Sequence, residues 1–159
     1  MRSGPEAAFH RRAASRFLGR DASRAPAPLP RSRAMHRAML LACLAHPDDE
    51  TFMAGATLAA LAARGVPTAL VCATRGQAGS AGTPPLVARE ALPAAREAEL
   101  RAACAILGVG ALTVLDHEDR QLGGVDPDAM RRALVAAIRT HRPTVVLSFD
   151  PNGLNQHPD

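Results

Sequence analysis

The fold turns on residues 39–65, "MLLACLAHPDDETFMAGATLAALAARG". The stretch opens on a short unbroken apolar run, "MLLACLA", of the kind a strand buried on both faces requires. "HPDDE" then places one imidazole and three carboxylates within five residues. "ETFMAGATLAALAARG" follows with the composition of a helix, and Gly65 stands where a helix ends on a left-handed glycine. A buried strand feeding directly into a helix is the first half of a βαβ unit.

The same alternation continues outward. "PTALVCAT" (67–74) reads as a second buried strand, and "RGQAGSAGTPP" (75–85) as a Gly/Pro-rich loop. "VAREALPAAREAELRAACAILG" (87–108) is helical, starting or kinking near Pro93 and ending at Gly108. "ALTVL" (111–115) is a third strand, with "DHEDRQLGG" as the loop after it. "DPDAMRRALVAAIRTH" (126–141) is a helix with Asp126 as N-cap and Pro127 at N1. "TVVLSF" (144–149) is a fourth strand. Strands alternating with helices predict an α/β, Rossmann-like parallel sheet with helices on both faces. A doubly wound domain usually continues beyond this point, so the expectation is a domain incomplete at its C-terminus.

Charge divides the chain. Residues 1–34 hold eight Arg and two acids, whereas 35–159 hold eleven Arg and thirteen acids. The first segment is expected to be a disordered Arg/Ala/Pro-rich tail or an upstream misassigned start, with Met35 beginning the domain. Such a tail could touch nucleic acid through phosphates. With four Phe and no Trp or Tyr, stacking platforms for single strands are nearly absent, and no nucleic-acid partner is expected. Cys43, Cys72 and Cys104 sit inside apolar runs, form no CxxC, and read as core thiols of a reducing, cytoplasmic compartment. No apolar stretch reaches the roughly 18 residues of a membrane span.

Chemistry is expected at the carboxyl ends of the strands, where open α/β sheets bind ligands. No G-x-G-x-x-G follows the first strand, which argues against a dinucleotide. His46 and Asp49 are three apart, a spacing that brings both side chains to one point if a helix begins there. Imidazole nitrogen with carboxylate oxygen suits Zn²⁺ or another divalent transition metal. Asp48 would point elsewhere and could take a proton from an activated water. Asp48, Asp49 and Glu50 read equally as acids favoured at a helix N-terminus, with His46 a strand-end histidine. The second cluster, "DPNGLNQHPD" (150–159), tips the balance, because a fourth strand can lie beside the first and bring two His/Asp groups together. Arg75 could reach a substrate or solvate its loop. His117 and Glu118 read as exposed loop residues and His141 as a helix-end cation.

Taken together, "AHPDDE", "TRGQAG", "REAELRAACAILGV", "LDHEDRQL" and "RPTVVLSFDPNGLNQHPD" resemble the LmbE-like, or PIG-L, zinc-dependent de-N-acetylases over roughly residues 38–159. The resemblance implies that His46 and Asp49 are zinc ligands, Asp48 the general base, and His157 a general acid or oxyanion stabiliser. It implies substrate contacts from Arg96 and Asp119, and an N-acetylglucosamine conjugate as the substrate. In the family the second motif reads HPDH, its last His being the third ligand. The sequence stops at Asp159, so the resemblance also implies a truncated chain that binds zinc poorly. The alternatives are an inactive fragment or pseudoenzyme, and nucleic-acid binding through the tail.

Overall fold

All seven residues of Thr68–Thr74 are buried, threonines included. Only the centre of a parallel sheet covered on both faces produces that pattern. The protein is seen here as a computed structural model that describes residues 38–150, 153 and 157–159. The expected tail, residues 1–34, lies outside the described residues.

The element order is β1 (Leu40–Leu44), α1 (Asp49–Phe52), α2 (Gly55–Ala63), β2 (Thr68–Thr74), α3 (Leu92–Leu107), β3 (Ala111–His117), α4 (Pro127–His141) and β4 (Val145–Leu147). The sheet order is β3-β2-β1-β4, and every pairing is parallel. The chain steps outward from β1 through β2 to β3, then returns to the other side of β1. The switch point therefore falls between β1 and β4, where this class of sheet opens a crevice at its carboxyl edge.

Two apolar layers sandwich the sheet. On one face Leu40, Ala42, Leu44, Leu70 and Cys72 meet Leu58 of α2 and Leu100 and Cys104 of α3. On the other, Leu41, Ala69 and Val71 meet Leu134 and Ala137 of α4. Leu41, Leu58, Leu70 and Leu100 are almost wholly removed from solvent, each contributing about 1.5–3 kcal/mol of burial. Helices α2 and α3 touch at Gly108, which caps α3 at φ 73°. A Cβ there would lie 2.5 Å from Ala62 Cβ, so only glycine permits that approach.

Pro93 lies in the first turn of α3, Gly108 is its left-handed cap, and the Asp126 side chain caps α4 by accepting the Asp128 N–H, each as expected. Three boundaries differ from the sequence reading. The helix expected over 50–65 is two helices. Met53 N–H closes the first on Asp49 O, and Ala54 O accepts Leu58 N–H to start the second; the break lets Glu50 and Leu58 both be buried. Strand β3 runs on through Asp116 and His117, polar residues that read as loop. It carries an extra residue there, since Cys72 pairs with Val114 but Thr74 with His117, a bulge of the kind that re-aims side chains. Strand β4 is shorter than expected, although Ser148 Oγ still donates to Cys43 O at 3.0 Å. Among the described residues no helix is long and apolar enough to cross a membrane.

Candidate metal centre and active site

Strand β1 ends one residue before Ala45 gives way to His46, and α1 begins three residues on. His46 N–H donates to Asp49 Oδ2 at 2.8 Å, and His46 Nδ1 lies 3.7 Å from the same oxygen. The i, i+3 expectation is met: one carboxylate serves the backbone and faces the ring of one histidine. Burial raises the Asp49 carboxyl above its ordinary range, against the pull of His46.

Asp48 takes the opposite direction. Its backbone is left-handed, φ 108° and ψ −29°, a conformation costing a non-glycine residue about 1–3 kcal/mol. Arg96 of α3 donates to Asp48 Oδ2 at 2.9 Å and to Pro47 O. The adjacent carboxylates are thus drawn apart, Asp49 to His46 and Asp48 to Arg96.

The far edge of the His46 ring meets a second group. His46 Nε2 is 3.2 Å from Asp119 Oδ1 and 2.9 Å from Asp159 Oδ2. The His157 ring packs edge-on against it, centroids 4.5 Å apart. One ligand atom each from His46, Asp119 and His157 falls within 4.8 Å of the others. Asp119 is buried and accepts Ala78 N–H at 2.9 Å, fixing the loop after β2 to the loop after β3. Asp159 accepts the N–H groups of Arg120 at 2.6 Å and Leu122 at 2.9 Å. Burial opposes its ionisation, but hydrogen bonds from His46, Leu122 and Arg120 outweigh it and hold the carboxyl below the usual range.

The loop after β2 forms the roof. Thr74 donates both N–H and Oγ–H to Ala45 O, each at 3.0 Å, which ties its start to the end of β1. Gly76, at φ 68°, lies where a Cβ would meet Arg96 Nε and Pro47 Cδ at 3.4 Å. A cleft of about 590 Å³ results, lined by His46, Asp48, Asp49, Arg96, Asp119, His157 and Asp159 among others.

Each residue expected at the site lines this cleft. Within it Asp119 faces the His46 ring and Arg96 is bonded to Asp48. Arg75 pairs with Glu97 at 3.2 Å and Asp116 at 2.9 Å, and it is not among the residues that line the cleft. His117 and Glu118 line a separate shallow cavity with Asp116. Sequence reasoning misses Asp159 as a site residue, although it holds the position in its HPD that Asp48 holds in the first.

The donor set fits a divalent cation. In a tetrahedral site with bonds of about 2.0–2.1 Å, ligand atoms stand about 3.4 Å apart. On the Nε2 edge of His46, where Asp119 and His157 offer the other donors, the 3.2 Å to Asp119 Oδ1 is near that value; the 3.7 Å to Asp49 Oδ2 belongs to the opposite, Nδ1 edge, a second position that the same ion cannot share. Mixed imidazole and carboxylate donors suit Zn²⁺ and its neighbours.

Comparison with known proteins points the same way. The family model for PIG-L, GlcNAc-PI de-N-acetylase, matches residues 41–159. A probable N-acetyl-alpha-D-glucosaminyl L-malate deacetylase 2 of Bacillus anthracis is 40% identical over 115 residues, 72% of this chain and 50% of its own. The N,N'-diacetylchitobiose deacetylase of Pyrococcus horikoshii superposes with a TM-score of 0.68 at 25% identity, over 99% of this chain and 55% of that one. A 4-carboxy-2-hydroxymuconate hydratase of Pseudomonas putida superposes at 0.62 and 25% identity, over 76% and 51%. The chain spans about half the length of these proteins. With its two His/Asp clusters set at the β1/β4 switch point and the family model matched across the whole sheet, the chain belongs to the PIG-L family.

Proposed function

We propose that this chain carries the metal-binding part of a hydrolase that removes the acetyl group from N-acetylglucosamine-type conjugates. The observation that carries the reading is the meeting of His46, Asp48 and Asp49 from the end of β1 with His157 and Asp159 from beyond β4, in one cleft. The relatives named above, two of them deacetylases of N-acetylated sugars, support the substrate class. Residues 35–159 would be the N-terminal part of the deacetylase domain. Three free cysteines, Cys72 and Cys104 buried, support a reducing, cytoplasmic setting.

In this reading His46, through its Nδ1 edge, and Asp49 would hold Zn²⁺, while Asp119 on the opposite, Nε2 edge orients the His46 ring. When bound, the cation supplies Lewis-acid chemistry toward an amide carbonyl. Asp48 takes the proton of the attacking water on its carboxylate, which the Arg96 guanidinium holds in place. His157, half-exposed at the cleft wall, returns a proton to the departing nitrogen, so that acetamide and water become acetate and amine. Arg96 and Asp119 border the space a sugar would fill.

Likeness to a hydratase favours a second reading on the same cleft, addition of water to a carbon–carbon double bond. One experiment separates them. The Zn²⁺-supplied chain is expected to release acetate from N-acetylglucosamine, and Asp48→Asn to abolish release while Zn²⁺ content is unchanged. Full activity in that variant would remove Asp48 as base, and hydration of an enoate without acetate release would favour the second reading.

A further inference from the structure

Asp48 stands at the N-cap of α1, yet its side chain makes no capping hydrogen bond. At an ordinary helix start the N-cap carboxylate bonds the amides of the first turn and is consumed by doing so. A Glu shortly inside the helix can reach back to the N-cap amide, the second half of a capping box. Here only that second half exists. Glu50 Oε2 accepts Asp48 N–H at 2.9 Å. Glu50 Oε1 accepts the Thr51 hydroxyl at 2.6 Å. The Glu50 side chain is 2% exposed and does not line the cleft. Without it the left-handed Asp48 would lose the only acceptor its amide has among the described residues.

We propose that Glu50 is a positioning residue for Asp48. By accepting the Asp48 amide it holds the left-handed backbone, and it leaves the Asp48 carboxylate free of capping and directed at the cleft. The inference rests on the reading of Asp48 as the base. The geometry requires an acceptor at Oε2, not a charge. A glutamine keeps that acceptor, and the Thr51 hydroxyl can rotate to accept from its amide.

The test compares the Zn²⁺-supplied parent chain with Glu50→Gln and Glu50→Ala. Glu50→Ala is expected to lower kcat for acetate release by about tenfold or more, the cost of a small displacement of a reacting group. KM and Zn²⁺ affinity should stay within about twofold, and Glu50→Gln should recover most of kcat. Unchanged kcat in Glu50→Ala, or equal loss in both variants, overturns the proposal. A parent that releases no acetate refutes the reading of the site instead. Hydrogen exchange at the Asp48 amide then decides: slow in the parent and Glu50→Gln but about tenfold faster in Glu50→Ala supports it, and equal rates overturn it. If Glu50→Ala does not fold, Thr51→Val removes one of the bonds holding Glu50. It should speed Asp48 amide exchange severalfold, and an unchanged rate overturns the proposal.

Discussion

Arg96 lies 48 residues from Asp48 in sequence, yet its guanidinium donates to Asp48 Oδ2 at 2.9 Å. Asp48 is half-exposed, so solvent screens the pair and its worth to folding is about 1 kcal/mol or less. Its worth to turnover is expected to be larger, because the same guanidinium also bonds Pro47 O and packs beneath Gly76. Arg96→Ala should shift the urea midpoint little and lower acetate release by about tenfold or more. Arg96→Lys should recover only part: one guanidinium nitrogen makes both bonds, which an ammonium can copy, but the planar group that packs against Gly76 and Gly79 is lost. Parallel denaturation and acetate assays check this; equal turnover in Arg96→Lys and the parent would count against it.

The proposed metal ligands can be ranked. Asp49 faces Nδ1 of His46, and Asp119 faces Nε2. With the cation on the Nδ1 side, Asp49→Ala should weaken Zn²⁺ binding by about tenfold or more, and Asp119→Ala by only a few fold, the lesser loss of a group outside the ligand shell. His46→Ala removes both faces and should abolish binding. Competition against a chromophoric chelator measures all three. The reverse order for the two aspartates would move the cation to the Nε2 side, among Asp119 and His157.

Much of this arrangement is legible in the amino-acid sequence alone. Nothing polar interrupts residues 39–45, which makes them a strand buried on both faces, and His46 and Asp49 meet because α1 begins so soon after it. The break after Phe52 is hidden because Met53 and Ala54 continue the helical composition; burial of Glu50 decides it. The end of β3 is hidden because Asp116 and His117 are polar, and the bulge there lies just before the loop in which Asp119 meets His46. The partnership of Arg96 and Asp48 depends on how α3 crosses the end of β1, a tertiary fact that no local pattern encodes.

Gly108 tests the packing of α2 on α3. Its φ of 73° and the 2.5 Å approach to Ala62 Cβ each penalise a side chain. Gly108→Ala should destabilise by about 2–4 kcal/mol, combining the left-handed cost with overpacking. Adding Ala62→Gly should return only the steric part. A urea midpoint that does not move in Gly108→Ala would contradict this packing.

Alkaline pH probes the core with unusual clarity, because the sequence contains no Lys and no Tyr. Besides the amino terminus, cysteines are the groups that titrate between about pH 8 and 12. Burial pushes the Cys72 thiol up to about 12 and the Cys104 thiol up to about 11. In the unfolded chain both ionise near their ordinary value of 9.0. Above that pH the unfolded state has lost protons that the folded state keeps, so stability falls as pH rises. The benefit of the neutral thiols is complete below about pH 9. It declines by up to about 1.4 kcal/mol per pH unit for each thiol until that thiol's folded value is reached. Urea unfolding at pH values of about 8, 9.5 and 10.5 should show this decline. Cys72→Ala should remove its own share of the decline and leave the shares of Cys104 and Cys43, both also raised by burial, while costing stability at the lowest of these pH values through a small cavity. A parent curve that stays level across the series would mean that Cys72 and Cys104 are open to solvent, and that the layer between β2 and α3 is not packed as described.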